Sequence, residues 1–205
     1  MIVRVPIEKI RENPYQTRGQ IEEPTDIMGS LQEMRAALPD TSGLIQVPVG
    51  RLVNNGQVGF VSEPDELIQA IAGDGAVVEL AAGHRRYEAF CRLAAEDREY
   101  TTFPVNVTPL SDSEMATLAW EENAKRQDIN PVDEALALQR ALDEFNWTQE
   151  QVGARWGLSQ SAVANKLRLL QLPDEIQALR AQYQASRRRR VGFRLVAGDG
   201  AQGPR

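Results

Sequence analysis

Residues 79–90 read ELAAGHRRYEAF, an apolar run that stops at Gly83 and becomes a basic, helix-forming segment at His84, Arg85 and Arg86. A strand ending in glycine lets backbone approach an anion, and the helix that follows presents amide N–H groups with partial positive charge. Arg85 and Arg86 add forked donors that match phosphate oxygens. Arginine pairs at helix starts are also commonly solvated or bridged to carboxylates, so this stretch alone leaves both readings open.

Working outward, Tyr87, Phe90, Cys91 and Ala94 fall on one face of a helix over 84–95, which makes the aromatics core residues and Cys91 a structural thiol. Upstream, Gly73-Asp74-Gly75 turns the chain into the strand AVVELAA. At the N-terminus, Val3, Val5 and Ile7 at period two give a half-buried strand, broken by Asn13-Pro14. Gln16-Thr17-Arg18 then forms a loop that displays Arg18. Ile27, Leu31, Met34 and Leu38 predict a helix over 26–38, ended by 39–43. Residues 44–53 are a β-rich run with Gln46 at its mouth, and Asn55-Gly56 predicts a hairpin with 57–61. A short helix near 64–72 and a strand at 103–107 complete a small mixed α/β domain over 1–110.

From Ser111 the pattern is helical. Ser111 with Glu114 forms a capping-box pattern for a connecting helix within 111–130, and Asn130-Pro131 with Asp133-Glu134 starts the next helix. Thr148 with Gln151 caps a short helix that stops at Gly157, and Ser159 caps another carrying Val163, Leu167 and Leu170. Gly153 and Ala154 are small enough for two helices to cross closely. This spacing describes a helix-turn-helix within 131–185. Its second helix exposes Gln160, Ser161, Asn165, Lys166 and Arg168 as candidate DNA contacts, with Thr148, Gln149 and Ser159 at the helix starts. A plain helical hairpin with solvated polar residues is the alternative.

Composition narrows the classes. The net charge of −6 argues against a generally basic nucleic-acid coat, yet residues 148–172 hold Arg155, Lys166 and Arg168 against the single acid Glu150. Arg187–Arg190 form a basic run in a flexible tail over 186–205 that could touch phosphates. One cysteine and one histidine exclude an internal disulfide and a Cys/His zinc cluster. No apolar stretch nears the roughly 18 residues of a membrane span, and the N-terminus lacks a signal-peptide core. The expectation is a soluble, cytoplasmic protein.

With both halves read, residues 3–175 resemble the ParB family of chromosome and plasmid partition proteins. Asn13-Pro14-Tyr15-Gln16-Thr17-Arg18 is similar to the family's N-P-x-Q-P-R box, and Gly43-Leu44-Ile45-Gln46 to its G-I-x-Q segment. Gly83-His84-Arg85-Arg86-Tyr87-Glu88-Ala89 is similar to its G-E-R-R-x-R-A box, and Glu122 to Arg126 followed by Asp128 to Pro131 to its E-N-x-x-R-x-x-L-N-P box. The helix-turn-helix ending at Leu170 follows in order. Five motifs in sequence are specific where one would be weak.

The resemblance implies an α+β fold class, a small mixed-sheet ParB/sulfiredoxin-like N-terminal domain followed by an all-α helix-turn-helix domain. It also implies a CTP- and Mg²⁺-dependent switch in a protein that binds specific double-stranded DNA in DNA partition or plasmid/phage regulation, nucleoid- or plasmid-associated. Gly83, Arg85 and Arg86 would cradle phosphates, with Arg18, Gln46, His84, Asn123 and Arg126 around the nucleotide and Glu122 with Asn123 at the metal. The resemblance further implies self-association through the N-terminal domain and a partition ATPase as partner. His84 stands where the family has Glu, which puts CTP hydrolysis in doubt; Gln46 and Glu122 are the candidates for any catalytic role. Segments 31–43 and 54–78 exceed the family's usual connections, and the expectation is that permanent dimerisation through the family's C-terminal module is absent from this sequence. The alternatives are a ParB-like metal-dependent nuclease and a DNA-binding regulator whose N-terminal domain binds no nucleotide. Sulfiredoxin-like thiol chemistry is excluded because no cysteine stands beside His84.

Overall fold

The computed structural model describes residues 1–16, 24–59, 61–124, 130–173 and 175–176. Arg18, Arg126 and the basic tail lie outside the described residues. The chain divides into two compact units, Met1–Glu122 and a second beginning at Asn123. They form the α+β arrangement of a sheet-bearing first unit and a helical second one.

The first unit holds β1 (Ile2–Pro6), β2 (Ile10–Arg11), β3 (Val49–Asn54), β4 (Gln57–Gly59), β5 (Ala76–Leu80) and β6 (Thr102–Val107). The sheet runs β1-β6-β3-β5-β2, with β4 also on β3. β3 pairs antiparallel with β4 and β5 and parallel with β6, while β2 pairs parallel with β5. Alternation in β1 buries Val3 and Val5 and leaves Arg4 outside, where it donates to Thr102 Oγ1 at 2.9 Å and Ser42 Oγ at 2.8 Å. The helices of this unit are α1 (Thr25–Met34), α2 (Pro64–Ala72), α3 (His84–Leu93) and the body of α4 (Asp112–Ala124).

The aromatics of α3 behave as core residues. The Phe90 ring is fully buried and meets Tyr100 and Phe103 edge-on, with centroids 5.0 and 4.7 Å apart. Burial pushes the Tyr87 hydroxyl well above its usual range, so it stays protonated and donates to the Ile7 carbonyl at 3.0 Å. Burial likewise pushes the Cys91 thiol up, leaving little thiolate. These contacts fix how the basic first turn of α3 leaves the sheet.

Two predicted elements are shorter than their patterns suggest. The first helix ends at Met34, because the chain turns through Pro39–Thr41 before Gly43. Of residues 44–53, only 49 onward is strand; Pro48 has no amide hydrogen for a ladder and turns the chain into β3.

The second unit contains α5 (Pro131–Phe145), α6 (Gln149–Trp156) and α7 (Gln160–Leu167). The Asn130 side chain accepts from Val132 N–H at 3.0 Å, and both halves of the Thr148/Gln151 capping box are present. Ser159 caps α7, which tightens into a 3-10 turn at Arg168–Gln171 and so carries Leu170 out of the α-helical stripe. Leu138, Ala141, Val152, Trp156 and Val163 make the core. Gly153 is the close-approach residue: a Cβ there would sit 2.5 Å from the Leu158 carbonyl oxygen, whereas Ala154 is exposed. Among the described residues no helix is long and apolar enough to cross a membrane.

The start of α4 is bolted to the sheet by Arg51, whose side chain is only 6% exposed. Its Nη2 meets Glu79 Oε2 at 2.9 Å across the β3–β5 pair, and its Nη1 meets Asp112 Oδ1 at 2.7 Å and the Leu110 carbonyl at 3.1 Å. Removing one partner of a buried pair strands the other charge. Arg51→Ala is expected to lower the stability of the first unit by about 2–4 kcal/mol, read by urea unfolding followed by far-UV circular dichroism.

Candidate functional site: an anion-binding turn and a helix-turn-helix

Gly83 decides the geometry of the first site. Its φ of +95° lies in the left-handed region, and a Cβ there would sit 2.9 Å from both Cβ and Cγ of Pro48. Only glycine ends β5, clears Pro48 and starts α3 in so few residues. The Arg86 and Tyr87 amides already donate to the Gly83 carbonyl at 3.0 and 3.1 Å, so it is the His84 and Arg85 amides, at the positive end of the helix dipole, that have no preceding turn to bond.

In front of this turn lies a cavity of about 600 Å³, within the range of small-molecule sites. Gln46, Pro48, Gly83, Arg85, Arg86 and Glu122 line it, with Ile27 of α1 on one side. Arg86 donates from Nη1 to the Gln46 carbonyl at 2.9 Å and lies 3.4 Å from Gln46 Oε1 through Nη2, so these two motif residues are held as a unit. Arg85 donates from Nη2 to Asp26 Oδ1 at 3.1 Å, while its Nε–H is buried with no acceptor. Glu122, its side chain 22% exposed, accepts from the Gly83 amide through Oε2 at 3.3 Å.

His84 faces the other way. It is 1% exposed and does not line the cavity. Its Nε2 accepts from the Asn13 amide at 3.0 Å, so a neutral ring carries its hydrogen on Nδ1. That Nδ1 lies 3.5 Å from Glu122 Oε2 and 3.2 Å from the Gln16 side-chain amide. The ring therefore supports the turn from beneath, although its place in the motif implies a ligand contact.

Asn13 heads the first motif, yet its role in the site is not among those the sequence suggests. It is 3% exposed, and its Nδ2 donates to the carbonyls of Ala81 and Met115, each at 3.0 Å. Its Oδ1 accepts from the Tyr15 amide at 2.9 Å. Asn13 thus joins the N-terminal segment, the end of β5 and α4 beneath the turn. The signal lies in the Asn-Pro pair, which marks a chain break but does not say what the asparagine binds.

Among the described residues no three His, Cys, Asp or Glu side chains converge as a metal site. A cation here would take most of its ligands from phosphate and water, which suits Mg²⁺. Asn123 follows Glu122 on α4.

In the second unit, Ser161, Asn165 and Arg168 share an exposed stripe at i, i+4, i+7, with Gln160 exposed beside them and Val163 buried behind. Arg168 Nη1 donates to Asn165 Oδ1 at 3.2 Å. The Thr148 and Ser159 hydroxyls accept from Gln151 and Ala162 amides at 3.2 Å each, and Gln149 opens α6 between solvent and core. Lys166 differs from its neighbours, because its ammonium is held by Glu134 of α5, and the two side chains are 28% and 18% exposed. It pins α7 to α5.

Comparison with known proteins places this architecture. A model of the ParB HTH domain matches residues 127–189. The chain is 33% identical over 187 residues to the nucleoid occlusion protein of Lysinibacillus sphaericus, covering 91% of this chain and 52% of that protein. It is 37% identical over 174 residues to the chromosome-partitioning protein Spo0J of Thermus thermophilus, covering 85% and 52%. The C-terminally truncated chromosome-partitioning protein ParB of Caulobacter crescentus, complexed to the centromeric parS site, matches at 30% identity and a TM-score of 0.50, over 86% of this chain and 75% of that one. The class is a mixed-sheet domain followed by a helix-turn-helix, and the chain belongs to the ParB family. It spans about half the length of the curated relatives it matches.

Gly83→Ala adds left-handed strain of about 1–2 kcal/mol and an overpacking cost of about 1–3 kcal/mol against Pro48. The first unit is expected to lose about 2–5 kcal/mol, seen as a lower urea midpoint with unchanged slope.

Proposed function

We propose that this chain is a DNA-binding protein of the ParB type in which the first unit binds CTP with Mg²⁺ and the second reads double-stranded DNA, in partition of chromosomes or plasmids. The observation that carries the nucleotide reading is Arg85: a guanidinium on the cavity wall with one buried N–H unsatisfied, beside a glycine turn that no Cβ could occupy. An unmet buried donor costs about 1–3 kcal/mol, and an oxygen-rich anion removes that cost. Phosphates suit the space between the amides of α3, Arg85 and Arg86, and the choice of cytosine rests on family membership.

Glu122 makes the metal part of this reading. A carboxylate on the Gly83 amide repels a triphosphate, and a bound Mg²⁺ supplies the charge that lets both anions share the turn. Glu122 would give the cation one oxygen, with Asn123 as the second ligand that the family motif suggests. The motif's other residues, Arg18 and Arg126, are proposed nucleotide contacts on the same basis. Gln46 holds Arg86 in place and offers its own amide to the ligand. Occupation of the turn would then bias self-association of the first unit and the DNA-binding state of the second.

Titration calorimetry with CTP, ATP and GTP in Mg²⁺ tests this. CTP is expected to bind most tightly, and Arg86→Ala to weaken it by about ten- to a hundredfold, the loss of one or two charge-assisted bonds. Binding of no nucleotide, or equal binding of all three, would contradict the reading.

For DNA, Arg168→Ala is expected to weaken binding and reduce the log K against log salt slope by about one. Lys166→Ala should leave that slope near wild type while lowering the stability of the second unit by up to about 1 kcal/mol, because its charge is already spent on Glu134. Unchanged binding by the Arg168 variant would remove α7 from the DNA interface.

A further inference from the structure

Asp26 stands at the first turn of α1, 59 positions before its partner Arg85, and its side chain is 67% exposed. Its carboxylate reaches Arg85 Nη2 at 3.1 Å from the rim of the cavity. It also lines a second cavity of about 410 Å³ that adjoins the first and shares Ile27, Gln46 and Arg86 with it. Arg86 is held by Gln46, and among the described residues Asp26 and Glu122 are carboxylates set against this turn. They differ in what they engage: Glu122 reaches the Gly83 amide and the His84 ring, and Asp26 holds Arg85.

We propose that Asp26 is an internal counter-anion, a carboxylate that occupies Arg85 while the cavity is empty and that the ligand's phosphate must displace. The inference rests on the nucleotide reading of the cavity and adds a competitor built into the chain. Asp26 satisfies one nitrogen of Arg85 and leaves the buried Nε–H without an acceptor. A phosphate group, with several oxygens, can meet both, and so replaces Asp26 even though it must break an existing pair. Because the Asp26 pair is largely exposed, it is weak enough to yield, and it is screened by salt. Displacement removes the polar link between the first turn of α1 and α3 while their apolar packing remains. Asp26 acts here as a positioning residue for Arg85 and touches no reacting atom.

The test compares wild type, Asp26→Asn and Asp26→Glu in the full chain, titrated with CTP, CDP, cytidine and inorganic tripolyphosphate in Mg²⁺. Removing the competing charge is expected to tighten CTP and tripolyphosphate by about two- to fivefold at low salt, less for CDP and not at all for cytidine. The gain should fade at high salt, and Asp26→Glu should bind as wild type does. Asn-variant affinity equal to or weaker than wild type, or a gain that is the same for cytidine, overturns the proposal while the nucleotide reading stands on the wild-type titration. If neither wild type nor the Asn variant binds CTP or tripolyphosphate, both fall together. Equal thermal midpoints for the variants exclude a loss of folded protein as the cause.

Discussion

The first unit depends on one steric constraint, the left-handed glycine at the junction of β5 and α3. Gly83 takes φ +95° with Pro48 against it, so the chain reverses from sheet to helix without a side chain in the way. Three consequences follow from that single turn. The start of α3 borders a cavity, Arg85 and Arg86 line its walls, and Glu122 can approach close enough to accept from the Gly83 amide. With any other residue the strand and helix would have to part, and all three would be lost together.

Beneath the turn lies a buried polar layer that gives it its rigidity. Asn13 meets His84, Ala81 and Met115, so its amide and side chain join segments that are 68 to 102 residues distant in sequence, and it holds Tyr15 locally. Buried polar groups of this kind are costly unless paired, and here the Asn13 amide and both ends of its side chain are paired. The imidazole of His84 is part of that layer. Its Nδ1 lies 3.5 Å from Glu122 Oε2, so it supports the carboxylate from beneath, while Arg85 and Arg86 are the basic groups on the cavity wall. Arg51 performs the matching task at the other end of α4, tying Asp112 to the sheet so that the helix carrying Glu122 has a fixed origin.

Local chemistry was the legible part of the sequence. The capping boxes, the Asn130 cap, the Asn55-Gly56 hairpin and the glycine turn all depend on residues within a few positions, and each stands where its pattern places it. The α+β class and the helix-turn-helix followed from those patterns and from the order of the family's motifs. Interactions between distant residues were not legible. Asp26 with Arg85, Lys166 with Glu134 and the two-residue β2 beside β5 are set by tertiary geometry, and no periodicity announces them. The same limit explains His84, whose motif position suggested a ligand while its burial makes it a support.

The central claim is that the first turn of α3 receives the phosphates of a nucleotide. An amide-resolved NMR titration of the full chain with CTP and Mg²⁺ tests it most directly. The account predicts the largest shifts at the amides of Gly83, His84, Arg85 and Arg86, graded from triphosphate to monophosphate. Saturable binding that leaves those four amides unmoved, with shifts gathered elsewhere, would contradict it.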